Sequence, residues 1–272
     1  MPKRNTYIME NRDEAVRLEL KTDPKKIRQD ARWCRIKPGM LVLDAGCGPG
    51  KTTSILHRMT QPGGNAVGID FSDDRVAYAR DHYGHRNGIA FYTRDLTQSL
   101  EDLGPFDVIW VRFVLQYFHR DASRIIENLR QCLKPGGTLC LIDLDNYFLS
   151  HYELSPQMEG MLQKIMKILT ISHNFDPYIG RKLYAYLYDL GFEDIKVHMQ
   201  AYNLIYGKLE ETHLSNWMKK LEVNASRISK LFKDYPGGYT AFQDDFWKFM
   251  LSERRFSYTP MVLCKGNKPM RG

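Results

Sequence analysis

Val42-Leu43-Asp44-Ala45-Gly46-Cys47-Gly48-Pro49-Gly50 is the stretch from which the fold of this chain can be read. An apolar run beginning at Met40 carries one acid, Asp44, and then breaks into glycines at 46, 48 and 50. Such a run reads as a buried strand entering a tight turn, because glycine lacks the Cβ that would keep backbone away from a ligand. Lys51 to Met59 is helix-compatible, so the turn should open onto a helix N-terminus with unpaired N–H groups. A nucleotide-like ligand is expected there.

Outward from this turn, four more β-branched apolar runs (66–70, 89–93, 107–112 and 138–143) alternate with helical segments. Strands separated by amphipathic helices predict βαβ crossovers, hence a parallel sheet covered on both faces. Ser72 and Asp73 suit the N-cap of a helix over 74–83, and Ile125, Ile126, Leu129 and Leu133 share one face of the next. Lys134-Pro135-Gly136-Gly137 should end that helix and turn the chain. Past Asp145, Ser155-Pro156 starts a helix, and Asp176-Pro177 is expected to open another that runs to Leu190. Strands near 194–203 and 257–264, on either side of a helical stretch at 209–251, suggest an antiparallel hairpin added at the sheet edge. Nineteen of the 33 aromatics lie within 147–250, among them Trp217, Phe246 and Trp247, which points to an aromatic-rich cap over the sheet.

Composition bounds the function. The 272 residues, 43% hydrophobic, contain no apolar run of the ~18–20 residues that span a bilayer. Met1 to Arg17 has no signal-peptide core, and the five cysteines stand singly, so a reduced, cytoplasmic setting is expected. The net charge of +7 comes from the ends of the chain: +5 from residues 1–37 and +3 from 265–272. A nucleic-acid groove would carry its bases in the body of the domain, so nucleic acid is an unlikely partner. Nothing in the chain speaks to its oligomeric state.

Asp70 ends the second strand 20 residues beyond Gly50, where a carboxylate can accept from both hydroxyls of a ribose. Asp95 follows the third strand, so acids stand at the tips of three successive strands. Taken with Phe106-Asp107-Val108-Ile109 and Leu133-Lys134-Pro135-Gly136-Gly137, the set resembles the class I S-adenosylmethionine-dependent methyltransferases over about 38–145. A fainter likeness over 176–203, in Asp176-Pro177-Tyr178-Ile179-Gly180-Arg181 and Gly191-Phe192, is to small-molecule enzymes related to the ubiquinone and menaquinone group.

The resemblance implies a Rossmann-like seven-stranded α/β sheet, mostly parallel with an antiparallel edge strand, and an inserted helical cap. It divides the chain into a helical segment (1–37), a cofactor-binding core (38–146), cap insertions (147–175 and 204–252) and the rest of the sheet (176–203 and 253–272). It also implies S-adenosyl-L-methionine as cofactor and a small-molecule methyl acceptor. Backbone at Ala45, Gly46 and Gly48 would bind the methionine portion, with Asp44 orienting the turn. Asp70 would hold the ribose, Phe71 would pack on the adenine, and Asp95 and Leu96 would read its edge. Arg112 and Phe113 would close over the cofactor, and Arg17 is a candidate partner for its carboxylate.

Rival chemistries fit less well. A dinucleotide fingerprint needs its third glycine at 51, which is Lys51, and a P-loop needs glycine at 45, which is Ala45. Val111-Arg112-Phe113-Val114 replaces the Asn/Asp-Pro-Pro-aromatic run of enzymes that methylate the amino group of adenine or glutamine, and Cys47 reads as a small buried residue. No His/Asp/Glu cluster suggests a metal. An RNA or protein methyltransferase and a non-catalytic cofactor-binding regulator stay open on the same fold. Methyl transfer needs a general base only when the nucleophile arrives protonated. His119, Tyr147 and His151 are the candidates, with Asp143 and Asp145 nearby at the strand tips.

Overall fold

A computed structural model describes residues 14–147, 149–209 and 229–270. Two helices come first, α1 (Glu14–Lys21) and α2 (Pro24–Trp33). An alternating run then builds β1 (Leu41–Ala45), α3 (Lys51–Thr60), β2 (Asn65–Asp70), α4 (Asp73–Tyr83), β3 (Ile89–Thr93), β4 (Phe106–Arg112), α5 (Ala122–Gln131) and β5 (Leu133–Leu144). The rest comprises β6 (His151–Tyr152), α6 (Pro156–His173), α7 (Leu183–Asp189), β7 (Glu193–Tyr206), α8 (Gly238–Leu251) and β8 (Phe256–Asn267).

Strands β3, β2, β1, β4 and β5 lie side by side and parallel. β8 runs antiparallel between β5 and β7, so β7 forms the rim and the antiparallel strand sits one place in. The two-residue β6 pairs with the start of β8 and makes the eighth strand. Side chains alternate across the pleat, and two cores follow from that period of two. Leu43, Ala45, Ile109, Val111, Leu139, Leu141, Val262 and Cys264 pack on one face with α5 and α7. Val42, Val108, Trp110, Cys140, Ile142, Met261 and Leu263 pack on the other with α2 and α3. A third cluster joins Met158, Leu162, Ile165 and Leu169 of α6 to Phe242, Phe246 and Phe249 of α8.

Some elements differ from the sequence expectation. Asp176 accepts from the Tyr178 N–H and from Lys182, which ties 176–182 into turns, so the helix expected from Asp176 begins only at Leu183. Residues 204–206, expected in the cap, continue β7 because Ile205 and Tyr206 pair with Ser257 and Phe256. Leu133 pairs with Phe106, which draws Lys134-Pro135-Gly136-Gly137 into an irregular start of β5. Trp217, and the helix expected through 210–228, lie outside the described residues. Among the described residues no helix is long and apolar enough to cross a membrane, and all five cysteines are buried thiols.

Candidate functional site

The glycine turn keeps its donors inside the protein. Gly46 and Cys47 N–H both donate to Ile69 O (2.8 and 2.9 Å), Gly48 N–H to Asp70 Oδ2 (3.0 Å) and Gly50 N–H to Cys47 O (3.2 Å). Gly46, Gly48 and Gly50 all hold positive φ, at 81°, 54° and 89°. A Cβ on Gly46 would meet Val114 Cγ2 at 2.3 Å, so glycine is required there by packing as well as by conformation.

Gly50, in the left-handed region, holds the N-cap position of α3. Asp44 lies across the turn and accepts from Thr53 Oγ1 at 2.7 Å and from the Thr53 N–H. Burial, with the Asp70 charge adding to it, pushes the Asp44 carboxyl up to about 7. α1 crosses over the turn: Lys51 Nζ donates to Glu19 O (2.5 Å), Tyr83 OH to Glu19 Oε1 (2.7 Å), and Leu18 lies against Gly48. Ala45 is buried beneath the turn.

Asp70, 7% exposed, ends β2 and receives more than the Gly48 N–H. Its Oδ1 accepts from Ser72 N (3.0 Å), Arg75 Nε (3.1 Å) and Arg75 Nη2 (2.8 Å). The Arg75 guanidinium also lies 5.2 Å from the centre of the Phe71 ring, which is 42% exposed. Asp95 accepts from the backbone and hydroxyl of Thr97 (2.9 and 2.8 Å), while Leu96 is buried against the sheet. Arg75 was not among the sequence candidates.

At the tip of β4, Phe113 holds a left-handed φ of 58° while its N–H donates to Ile142 O at 2.8 Å. Bulky residues seldom adopt that region, and such strain collects at functional sites. Arg112 lies 4.0 Å over the Phe113 ring, and its buried Nε has no hydrogen-bond partner among the described residues. Burial lowers its pKa, while Tyr202, Asp30, Asp44 and Asp143 act in the opposite sense. Asp143, pushed up to about 7 by burial, accepts from Gln116 N (3.1 Å) and Leu144 N (2.9 Å) and so fixes the loop after β4.

Aromatic side chains face one another on the cap side. Phe113 meets Tyr202 edge-on at 5.1 Å, and Tyr117 and Tyr147 lie 5.7 and 5.3 Å from Phe175. Burial raises the Tyr147 pKa, which keeps its hydroxyl protonated and a donor, and the Arg17 charge offsets part of that effect. The other candidate bases have structural partners. His119 Nδ1 pairs with Asp176 Oδ2 at 3.1 Å, and His151 Nδ1 with Ser257 Oγ at 2.8 Å. His151 also meets Phe246 and Phe249 edge-on inside the cap. Among the described residues no three His, Cys, Asp or Glu side chains are grouped to hold a metal.

Comparison with known proteins adds a partial likeness. Residues 42–137 match the family model described as "Methyltransferase domain". Juvenile hormone acid O-methyltransferase of Bombyx mori is 28% identical over 191 residues, covering 66% of this chain and 65% of that one. Ubiquinone biosynthesis O-methyltransferase of Pseudomonas aeruginosa is 36% identical over 106 residues, or 38% of this chain and 44% of its own. Phosphoethanolamine N-methyltransferase 2 of Haemonchus contortus, solved with S-adenosyl-L-methionine, superposes with a TM-score of 0.51. That likeness covers 89% of this chain and 52% of the other at 17% identity, and it shows the fold alone. The chain spans 21% to 65% of the length of the first curated relatives it matches. Over residues 42–137 the chain is thus similar to a methyltransferase domain, and its sheet is Rossmann-like.

Proposed function

We propose that this chain is an S-adenosylmethionine-dependent methyltransferase whose acceptor is a small organic molecule, apolar or aromatic in part. One observation carries most of the weight: the glycine turn offers no spare N–H at 46, 47, 48 or 50. Phosphate ligands need such donors, whereas an amino-acid-bearing nucleoside with an ammonium group is served by carbonyl and carboxylate acceptors. The buried Arg112 Nε, without a partner beside the turn, suits the carboxylate of the same ligand.

The assignments follow from that fit. Ala45, Gly46 and Gly48 would line the methionine portion, Asp70 the ribose, Phe71 the adenine face, and Asp95 with Leu96 the adenine edge. Arg112 and Arg17 would serve the carboxylate end, and Phe113 would cover the reacting centre. S-adenosylmethionine supplies a methyl group already activated on a sulfonium sulfur. The protein then has to orient the acceptor in line with that group and exclude water, which contributes through position more than through proton transfer. Phe113, Tyr117, Tyr147, Phe175 and Tyr202 form an aromatic wall suited to this, with the Tyr147 hydroxyl as a donor. His119 and His151 are held by Asp176 and Ser257, so we assign both to positioning and neither to proton abstraction. The described parts of the cap (147, 149–175, 207–209 and 229–252, after the correction at β7) would enclose the acceptor, with α1 crossing the glycine turn and 38–146, 176–206 and 253–270 forming the sheet domain.

Incubation with methyl-tritiated S-adenosylmethionine and a panel of phenols, carboxylic acids and amines tests the reaction. Label transfer to an organic-extractable member of the panel supports the proposal. Transfer only to RNA or protein would overturn the small-molecule acceptor.

A further inference from the structure

The Asp70–Arg75 ion pair has a consequence for cofactor affinity, given the S-adenosylmethionine reading above. A carboxylate oxygen offers two lone pairs, yet Asp70 Oδ1 already accepts three donors, from Ser72 N and from Nε and Nη2 of Arg75. Oδ2 accepts the Gly48 N–H and keeps one position free. A ribose diol needs both oxygens, so it cannot be received while Arg75 stays in place. The same guanidinium lies over Phe71, on the face where the adenine would pack.

The local sequence shows that Arg75 is misplaced for its helix. Ser72 caps α4 and accepts from the Arg75 N–H at 3.4 Å, which puts Arg75 third in the first turn. A helix start favours Glu or Gln there, to close a capping box and complement the helix dipole. An arginine opposes that dipole, and local rules are broken in this way mainly at functional sites. The Asp70 partner compensates for it.

We propose that Arg75 sets the cofactor affinity of this chain by competing with the ribose diol for the Asp70 carboxylate. Binding then requires the guanidinium to swing away from Asp70 and off Phe71. The apparent affinity falls by the fraction of molecules in which Arg75 has swung aside. S-adenosylhomocysteine has the same ribose and adenine, so the competition weakens cofactor and product alike.

Isothermal titration of S-adenosylmethionine and S-adenosylhomocysteine into the wild type, Arg75→Met and Asp70→Ala is the test. The expected result is about tenfold tighter binding of both ligands to Arg75→Met, which matches a swung-aside fraction of roughly one in ten, and weaker binding to Asp70→Ala. Unchanged or weaker binding to a folded Arg75→Met would make Arg75 a strut for Asp70 and overturn the proposal alone. Absence of binding to wild type and Arg75→Met together would overturn the cofactor reading itself. Should Arg75→Met fail to fold, the Arg75 Nε–H resonance of the wild type, assigned by its absence from Arg75→Lys, decides. Loss of its hydrogen-bonded character on adding S-adenosylmethionine supports the competition, and an unchanged signal refutes it.

Discussion

Gly46 is set by two constraints, a φ of 81° and the Val114 methyl group 2.3 Å from where a Cβ would stand. Gly46→Ala should cost about 1–3 kcal/mol in urea unfolding, from left-handed strain plus overpacking. The added Val114→Ala substitution should restore only the packing part of that loss. Asp44 gives a pH signature. Its carboxyl is held near 7 in the folded chain against about 4 when unfolded, so the native state binds the extra proton between those values. The stability it contributes is complete below about pH 4 and is lost as pH rises through about 7. Urea midpoints measured from about pH 5 to about pH 8 should fall for the wild type and change less for Asp44→Asn; equal slopes would contradict the buried acid. Asp44, Asp70 and the glycines were legible in the sequence because each stands at a strand tip. Arg75 was not, since pairing with Asp70 depends on how the first turn of α4 folds back on β2.

At the level of elements, the first four strands lie within one residue of where hydrophobic runs placed them, because buried parallel strands are nearly continuous apolar stretches. The departures arise where side chains override propensity. Asp176 is the clearest: it accepts from Lys182 at 2.5 Å, the Tyr178 N–H at 3.0 Å and His119 at 3.1 Å, and so replaces a helix start by turns. Hydrogen bonding to Lys182, Tyr178 and His119 outweighs burial and holds its carboxyl below the usual 3.8. Asp176→Asn should cost about 1–3 kcal/mol at neutral pH, the range for charged hydrogen bonds at a buried site. The difference from wild type should shrink as pH falls through the lowered pKa, where the carboxylate protonates in both states. A pH-independent difference would mean that packing, and not the charge, holds the turn.

Across the whole molecule, two apolar cores sandwich a twisted sheet and a third cluster builds the cap, with Tyr147 shared between sheet and cap. The doubly covered sheet was readable from alternating strands and helices. The proposed acceptor wall was not readable, because it combines residues far apart in sequence, from Phe113 to Tyr202, and positioning chemistry leaves no nucleophile to recognise. The central claim is that residues 44–50 and Asp70 hold an adenosyl sulfonium amino acid. Equilibrium dialysis of the wild-type chain against methyl-labelled S-adenosylmethionine tests it most directly. The account predicts saturable binding of one equivalent per chain, displaced by S-adenosylhomocysteine and weakened at least about tenfold in Asp70→Ala, the loss of roughly one charge-assisted hydrogen bond. No saturable binding at millimolar ligand, or equal binding by Asp70→Ala, would contradict it.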